Sequence, residues 1–298
     1  MSPKLSVVLS TLNGSIETAF TAGGIMIQCD EYNIPYEIII VDNGSEQEHI
    51  NNLTNFIKYH PKVKIRHCVH KGTIPPKVVG AEEATGEYLM FPDSHVLYTP
   101  NFFKHMLRVL DVNQSVQVLT AAAQVASFDN SKGNGFNIGH RVFSQTANHE
   151  ERSDKAYPIF VHMLHGTIVR RDWFFKIGGF FPNSFKEAGG YCAEDMLLFV
   201  TTWMFGGKCM VDLKEASFHP VYRFGLPDKI VHDMHGSAPI AYYLLGGEKG
   251  VQEIEKILGQ KYDLEDIKRQ AVDRQWILDH QQMDFFEAAK LCESYMKS

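Results

Sequence analysis

Tyr88-Leu89-Met90-Phe91-Pro92-Asp93-Ser94-His95 decides how the rest of the chain is read. The apolar run Tyr88–Phe91 has the length and composition of a buried strand. Thr99-Pro100-Asn101, just beyond, has the form of a helix start, with Thr as the cap and Pro at the first helical position. A carboxylate and an imidazole, two residues apart, therefore leave the end of one strand together. A bent loop can aim both at one divalent cation. Carboxylate suits Mg2+ or Mn2+, and imidazole tilts the choice towards Mn2+. The competing reading is a turn whose Asp caps the next helix, a role that Thr99 already fills.

Upstream of that stretch the chain alternates. Leu5–Ser10 reads as a strand and Ile16–Tyr32 as a helix weakened by Gly23-Gly24. Tyr36–Val41 is a second strand, ending in Asp42-Asn43-Gly44-Ser45, and Glu46–Tyr59 a second helix. Val63–Arg66 is a third strand. Pro75-Pro76 opens a helix that Gly86 closes, and Pro100–Leu110 is a helix after the Asp93 loop. Strands alternating with helices predict βαβ units and a mainly parallel sheet flanked by helices, a Rossmann-like α/β fold. Ligands of such sheets bind beyond the carboxyl ends of the strands. Asp42 and Asp93 both stand at such ends.

Downstream the pattern changes. Ser127–Asp154 is polar and glycine-containing with weak periodicity, and reads as a long mobile insertion. Gly166–Val169 returns to strand pattern, and Asp172–Ile177 is a short helix stopped by Gly178-Gly179. Glu194–Phe205 is an amphipathic helix with Met196, Phe199, Val200 and Trp203 on one face, ended by Gly206-Gly207. Cys209–Leu213 is the last strand, with His219-Pro220 beyond it. The chain divides on this reading into a main α/β domain over 1–222, a flexible loop or lid over 223–247 and a helical extension over 248–298. The extension is expected to pack on the main domain.

Composition narrows the function. The 298 residues are 44% hydrophobic and 21% charged, ordinary for a globular protein, and carry a net charge of -6 without any long basic run. A broad nucleic-acid face is unsupported. Five scattered cysteines, an odd number with no Cys-x-x-Cys pair, argue against a disulfide framework or a zinc knuckle. They fit small hydrophobes in a reducing compartment. No signal-peptide pattern opens the sequence and no stretch has the length to span a bilayer. The expectation is a cytoplasmic protein.

Four segments together resemble a known family. Leu5–Asn13, Glu37–Ser45, Gly86–His95 and Gly178–Gly207, in that order, are similar to GT-A glycosyltransferases that use nucleotide sugars. The opening strands and Val41-Asp42-Asn43-Gly44-Ser45 resemble glycosyltransferase family 2. Asp93-Ser94-His95 departs from the usual Asp-x-Asp and looks like the Asp-Ser-His of the polypeptide N-acetylgalactosaminyltransferases. Gly189-Gly190 through Glu194, and Trp203–Gly207, resemble that group as well. The likeness covers roughly residues 4 to 220. The helical tail has no counterpart in it and does not look like a lectin domain.

The resemblance implies a set of roles. Thr11 and Asn13 would contact the nucleotide, Asp42 the base or ribose, and Lys71 the phosphates. Asp93, His95 and His219 would hold Mn2+ or Mg2+ against the diphosphate. An acid of the Glu194-Asp195 pair would take the acceptor proton in an inverting enzyme, and would assist binding in a retaining one. For each residue a structural reading stands beside the functional one: Asn43-Gly44 is itself a turn signal, and Glu194 and Asp195 suit a helix first turn. The implied activity is metal-dependent transfer of a sugar from a nucleoside diphosphate, UDP foremost, to a hydroxyl of a glycan, protein, lipid or modified base. A GT-A nucleotidyltransferase is the rival enzyme, but the segment after the first strand, Thr11-Leu12-Asn13-Gly14-Ser15, lacks the basic residues of that class. A degenerate sugar-nucleotide or glycan binder is the non-enzymatic rival.

Overall fold

The computed structural model describes residues 2–68, 72–126, 156–190, 193–220 and 228–297. The first half is β1 (Leu5–Thr11), α1 (Ser15–Glu31), β2 (Tyr36–Asp42), α2 (Gln47–Ile57), β3 (Val63–His67), α3 (Ile74–Glu83), β4 (Tyr88–Met90), β5 (Leu97–Tyr98) and α4 (Phe102–Val112). The second half is β6 (Val118–Ala126), β7 (Tyr157–Pro158), β8 (Thr167–Arg170), α5 (Arg171–Lys176), α6 (Glu194–Met204) and β9 (Cys209–Pro220). Four helices follow: α7 (Asp228–Leu258), α8 (Leu264–Gln270), α9 (Arg274–His280) and α10 (Phe285–Lys297).

One sheet organises the molecule, in the order β3-β2-β1-β4-β8-β6-β9-β5, with β7 pairing β9. Every residue of β2 is buried, and so are Leu5, Val7, Val8 and Leu9 of β1. That is why these strands read as continuous apolar runs. The expected mainly parallel sheet is corrected to a mixed one. β3, β2, β1 and β4 run parallel, but β8 is antiparallel to both β4 and β6, β9 is parallel to β6, and β5 is antiparallel to β9. Helix-bearing crossovers give the unbroken parallel run of the first half, whereas in the second half β6 and β9 are parallel and β8 runs against its neighbours.

The helix after the Asp93 loop begins at Phe102, and Thr99 is not its cap. The Thr99 hydroxyl instead donates to the Glu215 carboxylate, tying β5 to β9. The last strand runs further than expected, so His219 lies within β9. The loop or lid expected over 223–247 is corrected as well: the chain is helical from Asp228 onward. Gly236-Ser237-Ala238-Pro239 carries loop punctuation, but Ile240, Ala241, Leu244 and Leu245 are buried, and that burial outweighs the local signal. The Ser237 hydroxyl donates to the Ala188 carbonyl at 3.1 Å. The helix breaks at Gly247, whose φ of 63° is left-handed, so the expected start of the helical extension coincides with a kink. Residues 223–227 and the insertion expected over Ser127–Asp154 lie outside the described residues.

The tail packs as expected. Trp276 of α9 stacks on Phe205 with centroids 5.7 Å apart. Ile277, Phe285, Ala288 and Cys292 are buried in the same apolar core as Phe199 and Trp203. The Arg274 guanidinium donates to the Tyr243 and Leu244 carbonyls. Among the described residues no helix is long and apolar enough to cross a membrane.

Candidate active site

The site forms where β1, β2, β4 and β9 end. An isolated parallel bridge joins Ser10 to Asp93, placing the Asp93 loop beside the end of β1. Pairing of Leu97 with Phe218 then brings His95, two residues before β5, alongside His219. His95 Nε2 lies 2.9 Å from His219 Nε2, and Asp93 Oδ2 lies 3.3 Å from the same nitrogen. One ligand atom from each of Asp93, His95 and His219 falls within 4.8 Å of the other two. Among the described residues this is the group with metal-ligand composition and spacing. The Asp93 side chain is 42% exposed, open enough to meet a ligand.

The electrostatics suit a cation. Burial alone would raise the Asp93 carboxyl, but the His219 hydrogen bond and the charge of Lys77 overcome it and hold the group well below the usual carboxylate range. Burial lowers His95, favouring the neutral imidazole that a metal requires. His165, which the sequence reading did not single out, packs its ring against His219 in a tilted pair with centroids 5.4 Å apart and is itself buried. Burial pushes it down to about 3, and Ser217 Oγ lies 3.0 Å from its Nδ1.

The donor-side residues are placed as expected at strand ends, but their side chains are largely engaged. Thr11 is buried, and its hydroxyl accepts from Thr18 at 2.9 Å. Asn13 has a left-handed φ of 55°; its N–H donates to Ser45 Oγ, and its Oδ1 accepts from the Glu46 N–H, both at 2.8 Å. These two residues hold the β1–α1 and β2–α2 loops in shape. Asp42 is 2% exposed, with one oxygen accepting from the Ser45 N–H at 3.2 Å and the other 3.2 Å from His67 Nδ1. Lys71 lies outside the described residues.

Glu194 and Asp195 stand in the first turn of α6, and Asp195 feels the charge of Asp93. Glu194 is buried and ion-paired to Lys77 of α3, an equally buried lysine that the sequence reading passed over. Its other oxygen, Oε2, is buried without a hydrogen-bond partner among the described residues. Burial pulls the Lys77 ammonium down, but Glu194, Asp93 and Asp195 more than restore it and leave it above its ordinary value. Asp195 is only partly buried by area, and its Oδ1 accepts from the Leu164 N–H at 2.7 Å. Burial first, and Glu194 second, push its carboxyl above the usual carboxylate range, against the pull of Lys77.

The loops ahead of α3 and α6 lock the pair in place. Gly72, at φ +80°, lies so close to Gly189 that a Cβ there would fall 2.0 Å from the Gly189 carbonyl oxygen. The same carbonyl accepts from the Thr73 N–H at 3.0 Å. Lys77→Met would leave Glu194 buried with neither oxygen partnered. The expected cost is about 3–5 kcal/mol of stability. The double change Lys77→Met with Glu194→Met is expected to recover most of the lost thermal midpoint. Equal midpoints for wild type and Lys77→Met would contradict the pairing.

Residues 11–178 match the model of the family described as Glycosyl transferase family 2. The chain belongs to glycosyl transferase family 2, and its fold is that of GT-A glycosyltransferases. N-acetylgalactosaminyltransferase 4 of Drosophila melanogaster is 23% identical over 222 residues, covering 70% of this chain and 34% of the relative. Polypeptide N-acetylgalactosaminyltransferase 10 of Homo sapiens is 25% identical over 208 residues, covering 65% and 34%. The chain thus spans about a third of the length of these relatives. Of solved structures, GalNAc-T7 with UDP, GalNAc and Mn2+ superposes with a TM-score of 0.62 at 17% identity, covering 93% of this chain and 56% of that one. S. aureus TarS superposes with a TM-score of 0.57 at 16% identity, covering 86% and 43%.

Proposed function

We propose that this protein is a metal-dependent glycosyltransferase that moves a sugar from a nucleoside diphosphate, UDP foremost, to a hydroxyl acceptor. The observation that carries the proposal is the convergence of Asp93, His95 and His219 at the strand ends, with Asp195 near enough to feel the charge of Asp93. One carboxylate and two imidazoles fit Mn2+ best and admit Mg2+. A bound divalent cation would take up charge developing on the diphosphate leaving group. The names of the relatives and the UDP and Mn2+ of the GalNAc-T7 structure support the same reading.

The chain's own residues then divide the work. The β1–α1 and β2–α2 loops, held by Thr11, Asn13 and Ser45, frame the nucleotide. Asp42 receives a donor hydroxyl or base N–H by exchanging its contact with half-exposed His67. Asp195, held at one oxygen by Leu164, keeps the other for an acceptor hydroxyl and serves as its base. Glu194 is committed to Lys77 and is a positioning residue. One relative, an inactive polypeptide N-acetylgalactosaminyltransferase-like protein 5 of Mus musculus, is 25% identical, so family membership alone does not decide activity.

A screen of nucleotide sugars for cation-dependent donor hydrolysis tests the proposal. The expected result is release of UDP with Mn2+, less with Mg2+, and none in excess EDTA. Binding of UDP-sugars without turnover of any donor, in the presence of a range of acceptors, would favour the non-catalytic binder instead.

A further inference from the structure

We propose that the outer face of α1 is an interface between two copies of this chain. The inner face of the helix, with Thr18, Ala22, Ile25 and Cys29, is buried against the sheet and α4. The outer face is apolar too. Ile16, Phe20 and Ile27 are 63, 72 and 68% exposed. At 100° per residue they fall on one side of the helix. A surface helix that ends at solvent carries polar residues on that side.

Gly23 and Gly24 lie between Phe20 and Ile27. Mid-helix glycine is destabilising relative to alanine. Neither has a positive φ, and a Cβ added at either would meet nothing within 4 Å. Nothing among the described residues therefore requires the missing side chains. Phe20, Gly23, Gly24 and Ile27 stand at i, i+3, i+4 and i+7, the four corners of a hole that receives a side chain of a partner helix. Two glycine corners make the hole deep and let another backbone come close. The feature it fits is a bulky apolar side chain on a second helix.

A second α1 supplies it. In an antiparallel pair, the register that sets Phe20 of one copy over the Gly23–Gly24 notch of the other also sets Ile16 against Ile27. The same contacts repeat on both sides of a twofold axis, as an isologous interface requires. The three exposed side chains offer on the order of 400 Å² per copy, so a pair covers roughly 800 Å², the size of a weak, transient association. Glu17, Asp30 and Glu31 rim the stripe with negative charge, partly offset by the Lys62–Asp30 ion pair, which is unsuited to an anionic lipid surface.

Sedimentation of this chain from about 1 to about 200 µM, the range in which a small interface associates, tests the proposal. The expected result is a concentration-dependent shift towards twice the chain mass. Phe20→Glu should weaken dimerisation at least about 30-fold, the size of an interface hot spot. Gly23→Ala with Gly24→Ala gives effects of opposite sign: a higher thermal midpoint, because alanine favours the helix, and a weaker dimer, because two methyl groups fill the notch. That variant keeps the test decisive if Phe20→Glu folds poorly. A wild-type chain that stays monomeric throughout overturns the proposal, including when it sediments with lipid vesicles. So does a dimer that both variants leave intact.

Discussion

Asp93→Ala is expected to abolish sugar transfer and the cation-dependent part of UDP binding. Asp93 is the carboxylate of the three-residue group, and it is held ionised by His219 and Lys77 against the burial that opposes them. Without it, two imidazoles remain, a poor set for a cation that prefers oxygen. Loss of several kcal/mol of charge stabilisation corresponds to roughly 10²–10⁴-fold in rate. The side chain is 42% exposed and its hydrogen-bond partner His219 remains packed against His165, so the fold should survive. Transfer rates and calorimetric UDP binding with and without Mn2+ check the expectation. Unchanged activity of the variant, or full wild-type activity in excess EDTA, would remove the metal from the mechanism.

The parts of this fold that are legible in the sequence are those where local and tertiary signals agree. β1, β2 and β4 are buried on both faces and bounded by turns, so their apolar runs are unbroken. α6 is marked at both ends, by Glu194-Asp195 and by Gly206-Gly207. β6 escaped notice because Ala121-Ala122-Ala123, with a register shift between Ala121 and Ala122, has little strand character. Its identity comes from β8 and β9 on either side, which no local window contains. α7 was hidden by Gly236 and Pro239, although its buried Ile240 and Leu244 fix it as helix.

The site divides in the same way. Asp93 and His95 are close in sequence and could be read as a unit, and His219 could be placed near them by its strand. Lys77 and His165 could not. A buried lysine is intelligible only beside the carboxylate that neutralises it, and Glu194 is 117 residues away. His165 matters through a ring contact with His219 that the crossing of the 3-10 turn Leu164–Gly166 and β9 creates. Thr11 and Asn13 do stand at the end of β1, but their hydroxyl and amide are engaged in shaping loops, which no local reading of the sequence could show.

Asp195→Asn is expected to slow transfer by about 10²–10⁴-fold while leaving UDP affinity within about twofold. The substitution keeps the shape of the side chain, and the amide oxygen can still accept from the Leu164 N–H. What it removes is the basic oxygen. Because burial and the neighbouring Glu194 raise the Asp195 carboxyl, the active, ionised form is lost as pH falls through a value above the ordinary carboxylate range. The wild-type rate should therefore rise with pH across that region, and Asp195→Asn should lack the rise. Lys77→Met, which takes away the cation that opposes the shift, should carry the rise to still higher pH in whatever fraction remains folded. A merely structural role for Lys77 would lower the amount of active protein without moving the profile. The anomeric configuration of the product, read by NMR, decides the chemistry. Inversion with a slow Asp195→Asn assigns the base to Asp195. A retained anomer would rule that assignment out and leave Asp195 as a group that orients the bound sugar. Inversion with a fully active variant would pass the role to another group, with Glu194 the least able to take it while its carboxylate is paired to Lys77.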